Sequence, residues 1–280
     1  GVLVREILAR PGPFLANHLL LITLAAVTFF LGAAATAMVR EPPGMVRSEA
    51  RLSWREYFPL LGSIVRSDAR FVWLIAVRWL SGLSDMASGF YVLFAADRLG
   101  IPGEMAGLFI SAGVVGSMLS GLILGPLADR KGCDTVIKIV MALRCSCPTL
   151  ALTAPLVAAW QPQLTLGVFV SIFAIMGLAN GAYMVGFTNF LLAIAPPSDR
   201  SSYIALANTL GGLLTAAPLA AGWLVQVASY ETLFVVTLSM AALGLGVAWR
   251  GQAAVARWWP ASQRAASPAI AGDGQGYPGE

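Results

Sequence analysis

Residues 121–132 read Gly121-Leu-Ile-Leu-Gly125-Pro-Leu127-Ala128-Asp129-Arg130-Lys131-Gly132, and the fold turns on this stretch. A long apolar run stops at Asp129-Arg130-Lys131-Gly132, and a second apolar run begins within a few residues. Backbone inside hydrocarbon must satisfy its own hydrogen bonds, which makes such runs helical. Two apolar helices joined by so short a charged link leave a bilayer and re-enter it on the same side. The spacing Gly121-xxx-Gly125 predicts close approach of another helix just before the exit.

The rest of the chain points to the same solvent. Of its 280 residues 58% are hydrophobic and 11% charged, with a mean hydropathy of +0.75; soluble domains carry about 25% charged residues. Seven apolar stretches, near 16–38, 71–95, 105–127, 136–158, 164–190, 203–226 and 231–249, are long enough to cross a core of about 30 Å, which takes roughly 20 helical residues. The sequence predicts an all-α polytopic membrane protein with about seven transmembrane helices. Residues 1–10 read as the tail of an earlier helix, ended by Pro11-Gly12-Pro13. A start at Gly1, with no leader pattern, reads as a fragment of a longer chain.

Charge orients the bundle. Thirteen of the 18 Lys and Arg residues fall on alternate links: 39–70, the Asp129 hairpin, the 195–202 link and the C-terminal tail. The opposite ends hold Arg5, Arg10 and Arg98, and two arginines, Arg78 and Arg144, lie inside spans. The positive-inside rule then makes the first set cytoplasmic, the C-terminus included. Within the long link, Trp54-Arg-Glu-Tyr-Phe-Pro-Leu-Leu61 is amphipathic and reads either as an interfacial helix or as a plain charged connector. The basic residues form no stripe with interleaved aromatics, which argues against a nucleic-acid partner. Cys133, Cys145 and Cys147 with one histidine, His18, are too few and too scattered for a disulfide framework or a metal site.

Ionisable residues inside spans point to function by default. In the second span Arg78, Ser81, Gly82, Asp85, Ser88 and Gly89 share one arc of roughly 120° at about 100° per residue. Asp85 lies past mid-span and reads either as a charge on a substrate path, a proton carrier, or as a packing contact to a helix outside this chain. The fifth span aligns Gly177, Asn180, Gly181, Met184 and Thr188; its Gly177-xxx-Gly181 spacing reads as a packing seam, with Asn180 able to meet a solute or a neighbouring helix. The sixth aligns Asn208, Gly211, Gly212, Thr215 and Gly222, with Pro218 to bend it. Arg144 in the fourth span has no polar neighbours at helical spacing and reads as a snorkelling side chain. No hydrolase, metalloprotease, Walker or dinucleotide motif appears, so neither an enzyme nor a cofactor is expected.

Gly125-Pro-Leu127-Ala128-Asp129-Arg130-Lys-Gly132 resembles the cytoplasmic-loop motif of the major facilitator superfamily, G-x-L-A-D-R-x-G-R-K, and departs from it at Cys133 and Asp134. An arginine-rich connector ahead of six spans, and Pro196-Pro197-Ser-Asp199-Arg200 ahead of the Asn208 helix, fit the same family. The resemblance implies four regions. Residues 1–38 would end an N-terminal half, with the tail of one helix and one full span. Residues 39–70 would be the cytoplasmic connector, 71–250 the C-terminal six-helix bundle, and 251–280 a disordered cytoplasmic tail.

In that family the first and fourth helices of each half line the solute path, here the helices of Arg78, Ser81, Asp85 and Ser88 and of Asn180, Met184 and Thr188. The motif, Gly125, Asp129, Arg130 and Gly132, would gate the cytoplasmic side, its aspartate at a helix N-terminus favoured by the dipole and facing the missing N-terminal half. The implied function is secondary active transport of a small solute by alternating access in the plasma or inner membrane, with a coupling proton or ion and export by antiport as the favoured subtype. A non-transporting scaffold or receptor of the same fold, or an inert partial chain, is the alternative.

Overall fold

The computed structural model describes residues 14–38, 62, 64–196 and 199–258. Most of the expected connector at 39–70, its amphipathic middle included, lies outside the described residues, as do residues 1–13 and 259–280. What is described is helical throughout, with no strand. Ten α-helices follow in order: α1 (Phe14–Ala37), α2 (Ala69–Ser84), α3 (Phe90–Leu99), α4 (Ala106–Lys131), α5 (Cys133–Trp160), α6 (Pro162–Tyr183), α7 (Asn189–Ile194), α8 (Arg200–Gly212), α9 (Ala217–Val227) and α10 (Tyr230–Trp258).

All seven apolar stretches are helical. Six described segments are long and apolar enough to cross a membrane: Leu19–Ala37, Gly103–Lys131, Cys133–Trp160, Pro162–Ile194, Arg200–Val227 and Tyr230–Gly251. The seventh stretch, 71–95, is split into α2 and α3 by a 3₁₀ turn at Asp85–Ala87 and a bend at residues 88–89. Its sequence, Ser84-Asp-Met-Ala-Ser88-Gly89, explains the break. Short polar side chains compete for backbone groups; Ser84 Oγ donates to the Ser81 carbonyl at 2.7 Å, and glycine adds a further helix penalty. At the far end α10 continues through Gly251 to Trp258, where a disordered tail was expected. Gln252-Ala-Ala-Val-Ala-Arg-Trp258 is built largely of good helix formers.

Neighbouring helices share their main contacts in the order α4, α6, α5, α10, α2. The closest approach is between α4 and α6. A side chain at Gly177 would overlap the Gly113 carbonyl, one at Gly116 the Ala174 carbonyl, and one at Gly181 would stand 2.8 Å from the Ser117 carbonyl. Lipid is as apolar as leucine, so such helices associate through close packing rather than hydrophobic transfer, and glycine lets backbone meet backbone. The seam expected at Gly121 and Gly125 is absent: nothing lies within 4 Å of a side chain built there. The hairpin's small residues near its exit face open surface, and the seam sits two turns deeper.

The hairpin itself is tighter than its sequence suggested. α4 ends at Lys131 and α5 begins at Cys133, so Gly132 alone makes the turn, at φ +86° and ψ 155°, a region closed to side chains. Its N–H donates to the Ala128 carbonyl at 2.9 Å. Asp129 therefore occupies the last turn of α4, not a helix N-terminus; the carboxylate in the favoured first turn is Asp134 on α5.

Side-chain contacts confirm that the helices run up and down between two ends. At the hairpin end the Tyr203 hydroxyl donates to Asp68 Oδ2 at 3.1 Å, Trp73 Nε1 to the Val247 carbonyl at 3.0 Å, and Lys138 Nζ sits 5.4 Å from the Trp249 ring centre. At the other, Tyr230 donates to Asp97 Oδ2 at 2.7 Å. Arg66, Arg70, Arg130, Lys131, Lys138, Arg200 and Arg250 all belong to the hairpin end, while Arg98 is the basic residue at the other among the described residues.

The interior divides into two apolar clusters. One, toward the hairpin end, joins Phe71, Leu74, Val77, Ile137, Met141 and Phe190. The other joins Tyr91, Phe94, Phe109, Phe169, Ile172 and Phe234, with Phe94 edge-on to Phe234 at 5.1 Å and Phe109 stacked on Phe173 at 5.0 Å. The two clusters are separate, and polar side chains fill the waist between them.

The glycine seam gives a test. Gly177→Leu is expected to destabilise the protein by roughly 1–3 kcal/mol or more through overpacking, while Gly121→Leu stays within about 0.5 kcal/mol. Thermal denaturation of both variants in detergent measures the difference.

Candidate functional site

The waist is built by residues that break the local apolar pattern at the same depth on three helices. Arg144 follows Met141 of one cluster and precedes Cys147 of the other on α5; Asn180 lies between Phe173 and Ala182 on α6; Asp85 lies between Val77 and Ala87. Arg144 Nη1 is ion-paired to Asp85 Oδ1, and Arg144 Nη2 donates to Asn180 Oδ1 at 2.8 Å. Arg144 is 7% exposed and Asp85 34%. One guanidinium thus ties the second, fourth and fifth apolar stretches together.

This corrects the reading of Arg144. It lies 11 residues into α5, roughly 16 Å of helical rise from the start, beyond the reach of a snorkelling side chain. Its partners are invisible to helical spacing because they come from other helices. Depth was the signal that could have found it. Asp85 likewise finds its partner within this chain, and Arg78 does not pair with it. Arg78 Nη2 instead donates to Asn208 Oδ1 at 3.4 Å, and its guanidinium lies 5.8 Å from the Tyr183 ring centre and packs against Gly211.

A cavity of about 420 Å³ opens beside this group, within the range of about 300–1,000 Å³ usual for small-molecule sites. Ser81, Asp85, Ser88, Arg144, Asn180 and Met184 line it together with Tyr183, Gly211 and Thr215. Thr188 is one turn beyond, its Oγ1 4.0 Å from Met184 Sδ, and does not reach the wall. Gly125, Asp129, Arg130 and Gly132 belong to the hairpin end and take no part in the cavity. Asp129 and Arg130 are exposed there and form no ion pair among the described residues. Tyr183 and Thr215 are wall residues that the sequence reading did not select as path residues.

Every departure from α-helix in the spans around the cavity falls at its edge. The first is the Asp85–Ala87 turn; the second is a π-helical turn at Met184–Thr188, a form often found at functional positions. The third is a 3₁₀ turn at Leu213–Ala216, where Thr215 Oγ1 donates to the Gly212 carbonyl at 2.6 Å and Pro218, lacking an N–H, cannot continue the ladder. The helix thus changes its winding just ahead of Pro218, the residue the sequence offered as a point of bending. Irregular backbone at membrane depth is tolerated where it is buried in protein or lines a cavity.

The ion pair has a measurable consequence. Asp85→Leu leaves Arg144 buried without a counter-charge, and removing one partner of such a pair costs about 3–5 kcal/mol. The double variant Asp85→Leu/Arg144→Leu is expected to recover most of that loss. A double-mutant cycle by thermal unfolding in detergent reads the coupling.

Comparison with known proteins agrees with this architecture. A family model described as Major Facilitator Superfamily matches residues 12–216 and, in a second alignment, residues 74–274. No curated protein matches the chain. A charged hairpin, paired apolar helices and a family match over most of its length together show that the chain is a multi-pass membrane protein belonging to the major facilitator superfamily of membrane transporters.

Proposed function

We propose that residues 71–250 form the C-terminal bundle of a secondary active transporter that moves a small solute by alternating access, residues 1–38 belonging to the preceding half and 39–70 linking the two. The observation that carries this reading is the Asp85–Arg144–Asn180 group at mid-depth on the wall of a cavity edged by three interrupted helices. A buried ion pair contributes little net stability over well-packed apolar residues, so its position beside open space favours a working role. Interrupted helices beside the site supply backbone that can bend as the bundle rocks.

Asp85 is the proton-carrying candidate in this scheme. Protonation removes its charge and releases the Arg144 guanidinium, which changes what the cavity wall can bind. Proton-coupled export is the subtype we favour, with the plasma or inner membrane as its location. Asp129 and Arg130, exposed at the hairpin end, are free to engage the other half when that side closes. Their end also carries the excess of Lys and Arg and is assigned to the cytoplasm.

Asp85→Asn keeps the size and one acceptor oxygen of the aspartate but cannot be ionised. In vesicles or proteoliposomes containing the whole protein it is expected to abolish pH-driven solute flux while leaving the folded protein in the membrane. Unchanged pH-dependent flux would remove Asp85 from the mechanism; loss of membrane accumulation, with flux per molecule retained, would favour a scaffold.

Sidedness has its own check. Single cysteines at positions 98 and 129 are expected to react with an impermeant maleimide from opposite faces of the membrane, position 129 from inside. Reaction of both from one face overturns the topology.

A further inference from the structure

The charges inside the spans do not cancel. Two arginines, Arg78 and Arg144, are matched by one carboxylate, Asp85, which pairs with Arg144; the other described acidic residues belong to the two ends of the bundle. Arg144 is neutralised by its ion pair. Arg78 has no carboxylate within ion-pair distance among the described residues. Its hydrogen bond to Asn208 is long, 3.4 Å, its other polar neighbour is Tyr183, and its Nε is buried with no partner, as is Nε of Arg144. Arg78 is not itself on the cavity wall; it rests against Tyr183 and Gly211, which are.

An arginine at membrane depth is costly unless paired, and its planar fork of donors matches a carboxylate. The remaining wall is apolar and pliable, with Met86, Met184, Leu214 and Pro218 facing the same space; methionine adapts to varied shapes. We infer that the solute is an amphipathic organic monoanion, a carboxylate on an apolar or aromatic body, whose single negative charge is balanced by the surplus positive charge that Arg78 leaves beside the cavity while its body lies against the methionine wall. This rests on the transport reading above and adds the substrate class to it. Asn208 and Tyr183 act as positioning residues that hold the Arg78 guanidinium beside the cavity.

The test is binding, which is independent of flux. Purified whole protein in detergent is titrated with benzoate and octanoate, and with tetraphenylphosphonium and glucose as probes of other charge classes. Benzoate and octanoate are expected to raise the melting temperature and to bind at least tenfold more tightly than either control. Arg78→Gln is expected to weaken them about tenfold, the loss of one nearby positive charge, and Arg78→Lys to restore part of that loss. If Arg78→Gln does not fold, the probe ranking on the unaltered protein and the Arg78→Lys titration decide. Preference for the cation or the sugar, binding of carboxylates indifferent to Arg78, or no binding of either carboxylate overturns the anion assignment. Transport itself is judged separately, by the Asp85→Asn flux experiment.

Discussion

The structure depends on one guanidinium. Arg144 stands near the middle of α5, buried between neighbouring helices at the cavity wall. It is stable there only because Asp85 and Asn180 are brought to it from two other helices. That requirement fixes the register of α2, α5 and α6 relative to one another more firmly than apolar contacts can, since aliphatic side chains slide past one another at little cost in a medium of lipid. The two aromatic-rich clusters then pack above and below the polar layer instead of merging across it.

A second constraint follows from the first. The helix that delivers Asp85 ends as it does so, and the helices that carry Met184 and Thr215 change their winding at the same level. Three local irregularities would be unfavourable if scattered through the bilayer, because each leaves carbonyl or amide groups without their usual partners. Gathered around one cavity they share a polar environment. The rigid counterpart is the glycine seam between α4 and α6, where backbones touch and no rearrangement of side chains can alter the spacing. The α4–α6 side of the bundle is therefore closely locked, while the side formed by α2, α3, α8 and α9 carries two of the three irregular turns.

Much of this was legible in the residues. Helix number and the hairpin follow from the length of apolar runs and the charges that end them, and Asp85 and Asn180 stand out as polar residues inside apolar spans. The sequence was also sufficient to select Ser81, Ser88 and Met184 for the cavity wall. It misread Arg144, whose partners lie 59 and 36 residues away along the chain, and it expected close approach at Gly121 and Gly125, which face open surface, whereas the Gly177-xxx-Gly181 face packs as a seam whose partners, Gly113 and Ser117, it did not identify. Both errors have one origin: helical periodicity reports which residues share a face, and is silent on which helix that face meets.

What the sequence determined by itself is the solvent and the class of structure. Backbone amides in hydrocarbon have no alternative to helix, so apolar runs of this length admit a single reading, and the LADRKG turn carries the family with it. Only the tertiary structure decided the partners: that Asp85 meets Arg144 and leaves Arg78 over Tyr183, that Gly132 alone makes the hairpin turn, and that the breaks converge on one cavity. Those choices depend on how far each helix is rotated and shifted against its neighbours, and the energy that sets rotation is spread over many small packing contacts that no local stretch of residues contains.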